Sequence, residues 1–167
     1  MTFFKVQDIY NKKEKQMENY YNSQERIDAA LMSSLSASTG LWKSMETMPL
    51  KTRHDFSGIT SSGKKCIIEV KQRIVSSETF KEVFVEPLKL DDFGKALAND
   101  FLPLYINFFA DDTALVWDMS QAMDCKYQPI TIYDKGDETY KVVNRIALPT
   151  KNAIKFKKEN EKWIRTK

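Results

Sequence analysis

The sequence predicts an α/β domain in which a mixed β-sheet is flanked by helices, and three observations predict it. The first 40 residues carry apolar side chains at helical spacing. From residue 52 onward the period shortens to that of strands. A brief helical pattern returns between those strands, over residues 90–100. At 167 residues the chain reads as one domain, with N-terminal helices over 1–40, a core over 41–120, and a C-terminal hairpin and basic helix over 121–167.

Phe3, Val6, Tyr10, Met17 and Tyr20 or Tyr21 recur every three to four residues with polar residues between them. A second helix, or a continuation after a kink, follows from a cap at Asn22 or Ser23. Ile27, Leu31 and Leu35 give it a face, and Gly40 lies beyond its end. Residues 52–60 and 64–73 are strand-like runs joined by Ser61, Ser62 and Gly63, a favoured hairpin loop because glycine adopts the left-handed conformation at low cost. "FKEVFVE" is a short extended stretch limited by Pro87. "LDDFGKALAND" is the brief helix, with Asp91 and Asp92 near its positive end. "LPLYINFF" and "TALVWDM" read as strands, and "YQPITIYD" and "ETYKVVNRIALP" as a hairpin around Lys135, Gly136 and Asp137. Residues 151–167 hold seven Lys or Arg against two Glu, and Ala153, Phe156 and Trp163 can share a helical face.

Hydrophobic residues make up 42% and charged residues 29%, as in ordinary globular proteins, and the net charge of +3 permits a polyanionic partner without requiring one. Cys66 and Cys125 are too few for a disulfide framework or a cysteine-based zinc site, so they read as reduced core residues. The N-terminus lacks a secretory pattern, and no apolar run approaches the ~20 residues a membrane span needs. The expectation is a cytoplasmic protein with no membrane partner. A phosphate-binding loop of the NTPase type is also lacking.

The chemistry concentrates in "RHDFSGITSSGKKCIIEVKQR", residues 53–73, where Glu69 and Lys71 interrupt a core strand. Alternation sends Ile67, Glu69, Lys71 and Arg73 to one side and Cys66, Ile68 and Val70 to the other. If residues 61–63 form the turn, Thr60 faces Lys64 and Asp55 falls opposite Glu69, at ~5 Å between Cβ atoms. Two such carboxylates repel unless a cation lies between them. An all-oxygen set, with the Val70 carbonyl available, suits Mg²⁺ rather than zinc. Lys71 beside it could position a water and offset charge on a phosphate, which are the parts of metal-assisted phosphodiester hydrolysis. The alternative is an exposed salt-bridge ladder of the same residues, worth ~0–1 kcal/mol.

Asp55, a hairpin and Glu69-Val70-Lys71 resemble the PD-(D/E)XK nuclease superfamily of restriction endonucleases, Holliday-junction resolvases and phage recombination nucleases. The resemblance spans residues 18–118, with "LDDFGKAL" and "PLYINFF" as the later helix and strand. His54 stands where a proline is common. The resemblance implies a restriction endonuclease-like core and a Mg²⁺ cofactor, Mn²⁺ substituting. It implies catalytic Asp55, Glu69 and Lys71, and metal held by Asp55, Glu69 and Val70. A helical acid best matched by Glu25, with Glu18 as the alternative, would complete the site. The implied partner is nucleic acid, DNA first, cut structure-selectively or with weak specificity, and a homodimer would place two sites on a duplex. Arg73, Lys89 and Lys95 are candidate phosphate contacts, each equally readable as a solvated or ion-paired cation. Two other readings are a catalytically idle binding or assembly protein and an RNase of a toxin or defence system. His54, by alternation, points away from Asp55. Tyr105, Phe108, Phe109 and Trp117 read as core rather than as a base-stacking platform.

Overall fold

The computed structural model describes the backbone of residues 3–49, 52–122, 125, 127–134 and 138–167, and side chains from Lys15 onward except Met17 and Asp134 within those ranges. One helix, α1 (Phe3–Thr39), runs through both N-terminal segments, so the second continues the first rather than starting anew. Ser23 does not cap a new helix: its hydroxyl donates 2.8 Å back to the Tyr20 carbonyl, a bond made inside a continuous helix. The side chains of Phe3, Val6, Tyr10 and Met17 lie outside the described residues. Gly40 ends α1 at φ 64, its N–H donating to the Ser36 carbonyl.

Among the described residues ten strands follow: β1 (Trp42–Thr47), β2 (Phe56–Thr60), β3 (Lys65–Arg73), β4 (Glu82–Val85), β5 (Leu102–Phe109), β6 (Thr113–Asp118), β7 (Tyr127–Asp134), β8 (Thr139–Pro149), β9 (Ile154–Glu159) and β10 (Lys162–Arg165), with helix α2 (Pro87–Ala98) between β4 and β5. Seven form one mixed sheet in the order β1-β2-β3-β5-β6-β9-β10, and β4-β8-β7 form a second. Within the large sheet β3 and β5 run parallel, joined through β4 and α2, while the other described pairings are antiparallel. The fold is therefore mixed α/β, as predicted. Among the described residues no helix is long and apolar enough to cross a membrane.

The large sheet buries both faces. On one, Met32 and Leu35 of α1 pack on Cys66, Ile68, Val70, Ile106, Phe156 and Trp163. On the other, Leu90 and Phe93 of α2 and Val83, Val85, Ile146 and Leu148 of the small sheet pack on Ile67, Tyr105 and Trp117. Strand β3 is thus covered on both sides, which is why its middle is a nearly continuous apolar run. Tyr105, Phe108, Phe109 and Trp117 are all buried, so the core reading of these aromatics stands.

The predicted basic helix over 151–167 is a correction. Those residues form a 3-10 turn and the antiparallel pair β9–β10, reversed at Asn160 and Glu161, both at positive φ. Phe156 and Trp163 are buried as expected, but from adjacent strands under α1, where the Trp163 indole N–H donates 3.2 Å to the Ser34 hydroxyl.

Candidate active site where two strands part

The hairpin turn sets the register as the sequence implies. Thr60 N–H donates to the Lys64 carbonyl at 2.8 Å, Gly63 sits at φ 90, and Phe56 pairs with Ile68. One further step places Asp55 opposite Glu69. There the strands separate. The Asp55 N–H still reaches the Ile68 carbonyl at 3.0 Å, but the next donor, the Val70 N–H, is met at 2.7 Å by Asp55 Oδ2. A residue in an extended strand projects its N–H and C=O to the same side, so the Val70 carbonyl faces this gap too.

Glu69 is only 1% exposed, and a buried carboxylate persists only if its charge is met. Two ammonium groups meet it: Lys71 Nζ lies 2.8 Å from Oε1, and Lys89 Nζ lies 2.7 Å from Oε2. Lys89 comes from the first turn of α2 and also donates to the Arg53 carbonyl at 2.7 Å. It is the second counter-ion of Glu69 rather than an open phosphate contact. Burial and the nearby Glu69 charge push the Asp55 carboxyl up to about 6, against the Val70 N–H and the two lysines. Burial works against the Lys71 charge, yet the paired Glu69 outweighs it and holds the ammonium above its usual range.

A cavity of 260 Å³ opens over this group, and Gln24, Glu25 and Asp28 of α1 line its far side. Glu25 therefore reaches the site from the helix, whereas Glu18, two turns earlier, is exposed and does not line the cavity. The sequence reading missed Asp28. Its carboxylate accepts 2.7 Å from Gln72 Nε2, and burial raises its pKa despite the bonds from Gln72 and Gln24. The signal was available, because residues three apart share a helix face and Asp28 follows Glu25 by three.

His54 also lines the cavity, its imidazole lowered by burial. Strand alternation does not apply to it because β2 begins only at Phe56. Arg73 turns onto the sheet, donating from Nε to Asn107 Oδ1 at 2.6 Å and from its terminal nitrogen to the Tyr105 hydroxyl at 3.2 Å. Lys95 is exposed on α2 and lines a separate cleft with Ser57 and Gly58. Gly58 serves the sheet: a Cβ there would lie 2.5 Å from the Ser44 carbonyl oxygen, opposite an irregularity in β1.

Among the described residues, no group of three or more His, Cys, Asp or Glu is arranged to hold a metal ion. Asp55, Glu69 and the Val70 carbonyl nonetheless offer hard oxygen donors at one edge. Burial lifts Asp55 first and repulsion from Glu69 adds to it, and a cation would relieve that repulsion. Both oxygens of Glu69 hold an ammonium, so a cation would have to displace one. Lys71, with 46% of its side chain exposed, has room to leave. On these grounds the donor set fits a hard divalent cation. The chain matches no family model, no curated protein and no solved structure, so its chemistry is read from its own geometry.

Proposed function

We propose that the protein is a Mg²⁺-dependent nuclease of the PD-(D/E)XK type, hydrolysing phosphodiester bonds in nucleic acid and DNA in particular. The observation that carries this reading is the meeting of Asp55, Glu69 and Lys71 where β2 and β3 part, over a cavity that Glu25 and Asp28 also line. The parallel β3–β5 pair, bridged through α2, supports a restriction endonuclease-like core.

Asp55, Glu69 and the Val70 carbonyl would hold Mg²⁺, which when bound supplies positive charge to a phosphate oxygen and acidifies a water. Lys71, released from Glu69, offers its ammonium to the attacking water and to the charge growing on the phosphate. Lys89 keeps the second oxygen of Glu69 in place. Asp28, steadied by Gln72 and within the field of Lys71, can accept a proton leaving the water.

Incubation with plasmid, single-stranded DNA, branched DNA and RNA, in Mg²⁺, Mn²⁺ or EDTA, tests the proposal. Metal-dependent cleavage that is lost in Asp55→Ala and Lys71→Ala supports it, and cleavage confined to RNA makes the protein an RNase. The double occupancy of Glu69 by ammonium groups favours one other reading, a binding or assembly protein with an idle site. Absence of both cleavage and metal binding would select that reading.

A further inference from the structure

Strands β1 and β2 carry the large sheet past the edge of α2, and a cleft of 1010 Å³ lies in the angle between them. Its floor is apolar: Met45, Ile59 and Ile67 from the sheet, Ala96 from α2, and Phe101 from the turn after it. Ile59 is 40% exposed there and adjoins the other apolar floor residues rather than standing alone. The rim is charged, with Arg53, Lys65 and Lys95 against Glu46 and Asp92. Asp92 is already neutralised by Arg53 at 2.7 Å, and Lys65 stands 5.9 Å from the centre of the Phe101 ring. Met48, Thr52 and His54 line both this cleft and the cavity over Asp55 and Glu69, so the two spaces share a wall.

We infer that this cleft receives an unpaired strand of nucleic acid, its bases on the apolar floor and its phosphates along the Lys65–Lys95 rim. The inference rests on the nuclease reading and narrows its substrate to nucleic acid with a single-stranded segment beside the scissile bond. Phe101 offers a ring on which a base can stack, and Lys65 and Lys95 offer charge to phosphates, the two elements by which single strands are held. A duplex keeps its base faces stacked and has nothing to offer the floor. The volume lies at the upper end of small-ligand pockets, which leaves room for more than one nucleotide. The shared wall of Met48, Thr52 and His54 sets a strand in the cleft beside the site.

The test is fluorescence anisotropy with a fluorescein-labelled oligothymidylate and a labelled duplex of equal length, both in EDTA so that nothing is cut. The full-length protein is expected to prefer the single strand. Ile59→Glu, a change at a half-open position, is expected to weaken single-strand binding about tenfold, or ~1.4 kcal/mol, and duplex binding far less. Ala96→Trp, which fills the cleft from the helix side, is expected to do the same, with circular dichroism confirming the fold of each variant. Preference for the duplex, no binding of either, or unchanged single-strand affinity in both variants overturns the inference. Cleavage that needs Asp55 and Lys71 alongside unchanged affinity in the cleft variants sinks the cleft but spares the nuclease reading. Ile59-dependent binding by a protein that cuts nothing does the reverse.

Discussion

On one face of β3, Cys66, Ile68 and Val70 meet Met32 and Leu35 of α1; on the other, Ile67, Glu69, Lys71 and Arg73 meet the side that α2 covers. Depth does not distinguish them, since Ile68 is 0% exposed and Glu69 is 1%. The difference is in what each side chain finds. From Cys66 to Val70 the α1 face offers methyl and methylene groups, before Gln72 meets Asp28, and its packing stabilises the fold through buried area. The α2 face offers two ammonium groups to one carboxylate, an arrangement that usually gives no more stability than an apolar replacement of the same shape. One strand thus carries a structural face and a chemical face, and substitutions on the two should fail in different ways.

The largest effect is expected on the structural face. Ile68→Ala removes a fully buried side chain between α1 and the sheet and should cost ~2–5 kcal/mol, read as a lowered urea midpoint at unchanged slope. A loss under ~1 kcal/mol would mean that this face is not close-packed. Next comes Lys71→Ala. Its loss leaves the buried Glu69 carboxylate with Lys89 as the described counter-ion, so stability should fall by less than in Ile68→Ala while cleavage falls ~10²–10³-fold. Equal cleavage by the variant would remove Lys71 from the chemistry and erase the contrast between the faces.

How much of this was legible follows from the range of each interaction. The register that brings Asp55 to Glu69 was readable because a three-residue turn fixes it locally, and the strand alternation that follows is steric. Lys89 was not assigned to Glu69 because the helical pattern was taken from Leu90, whereas Pro87, at home in a first turn, starts α2 early enough to include Lys89. Asp28 shares the Glu25 face of α1 and was legible by that spacing, but its partner Gln72 lies 44 residues away and no local pattern joins the two. The C-terminal strands read as a helix because their half-buried and exposed lysines, a common guard for strands near a sheet edge, resemble the solvated side of one. Ala153, Phe156 and Trp163 also happened to fit a helical spacing.

The third prediction concerns the cost of the chemical face. The Asp55 carboxyl is pushed up from an ordinary 3.8 to about 6, so the fold favours its protonated form. The native state then binds more protons than the unfolded chain between those values. The stability this group contributes is complete below pH ~4 and is lost as pH rises through 6. Asp55→Asn keeps an oxygen for the Val70 N–H and cannot ionise. It should be more stable than the parent at pH 8, by at most ~2–3 kcal/mol before solvent screening, and no more stable at pH 4. Thermal melts at both pH values check this. Added Mg²⁺ should raise the melting temperature of the parent at pH 8 but not that of Asp55→Asn, and an equal rise in both would exclude Asp55 as a ligand.

Arg73 gives the smallest expected effect and the finest test, because it lies on the chemical face yet is bonded as a structural residue. Its guanidinium donates to the buried Asn107 and to the Tyr105 hydroxyl. Arg73→Ala leaves Asn107 Oδ1 without that donor in a setting that is 0% exposed, which should cost ~1–2 kcal/mol in a denaturant titration. Arg73→Lys cannot reproduce the two-point contact and should recover only part of that loss. If Arg73 were instead a phosphate contact, Arg73→Ala would leave stability unchanged, weaken nucleic-acid binding, and flatten its dependence on salt by about one counterion. The bonds to Asn107 and Tyr105 predict the opposite pattern, a stability loss with an unaltered salt slope. The boundary between the chemical and structural parts of the α2 face would then fall between Lys71 and Arg73.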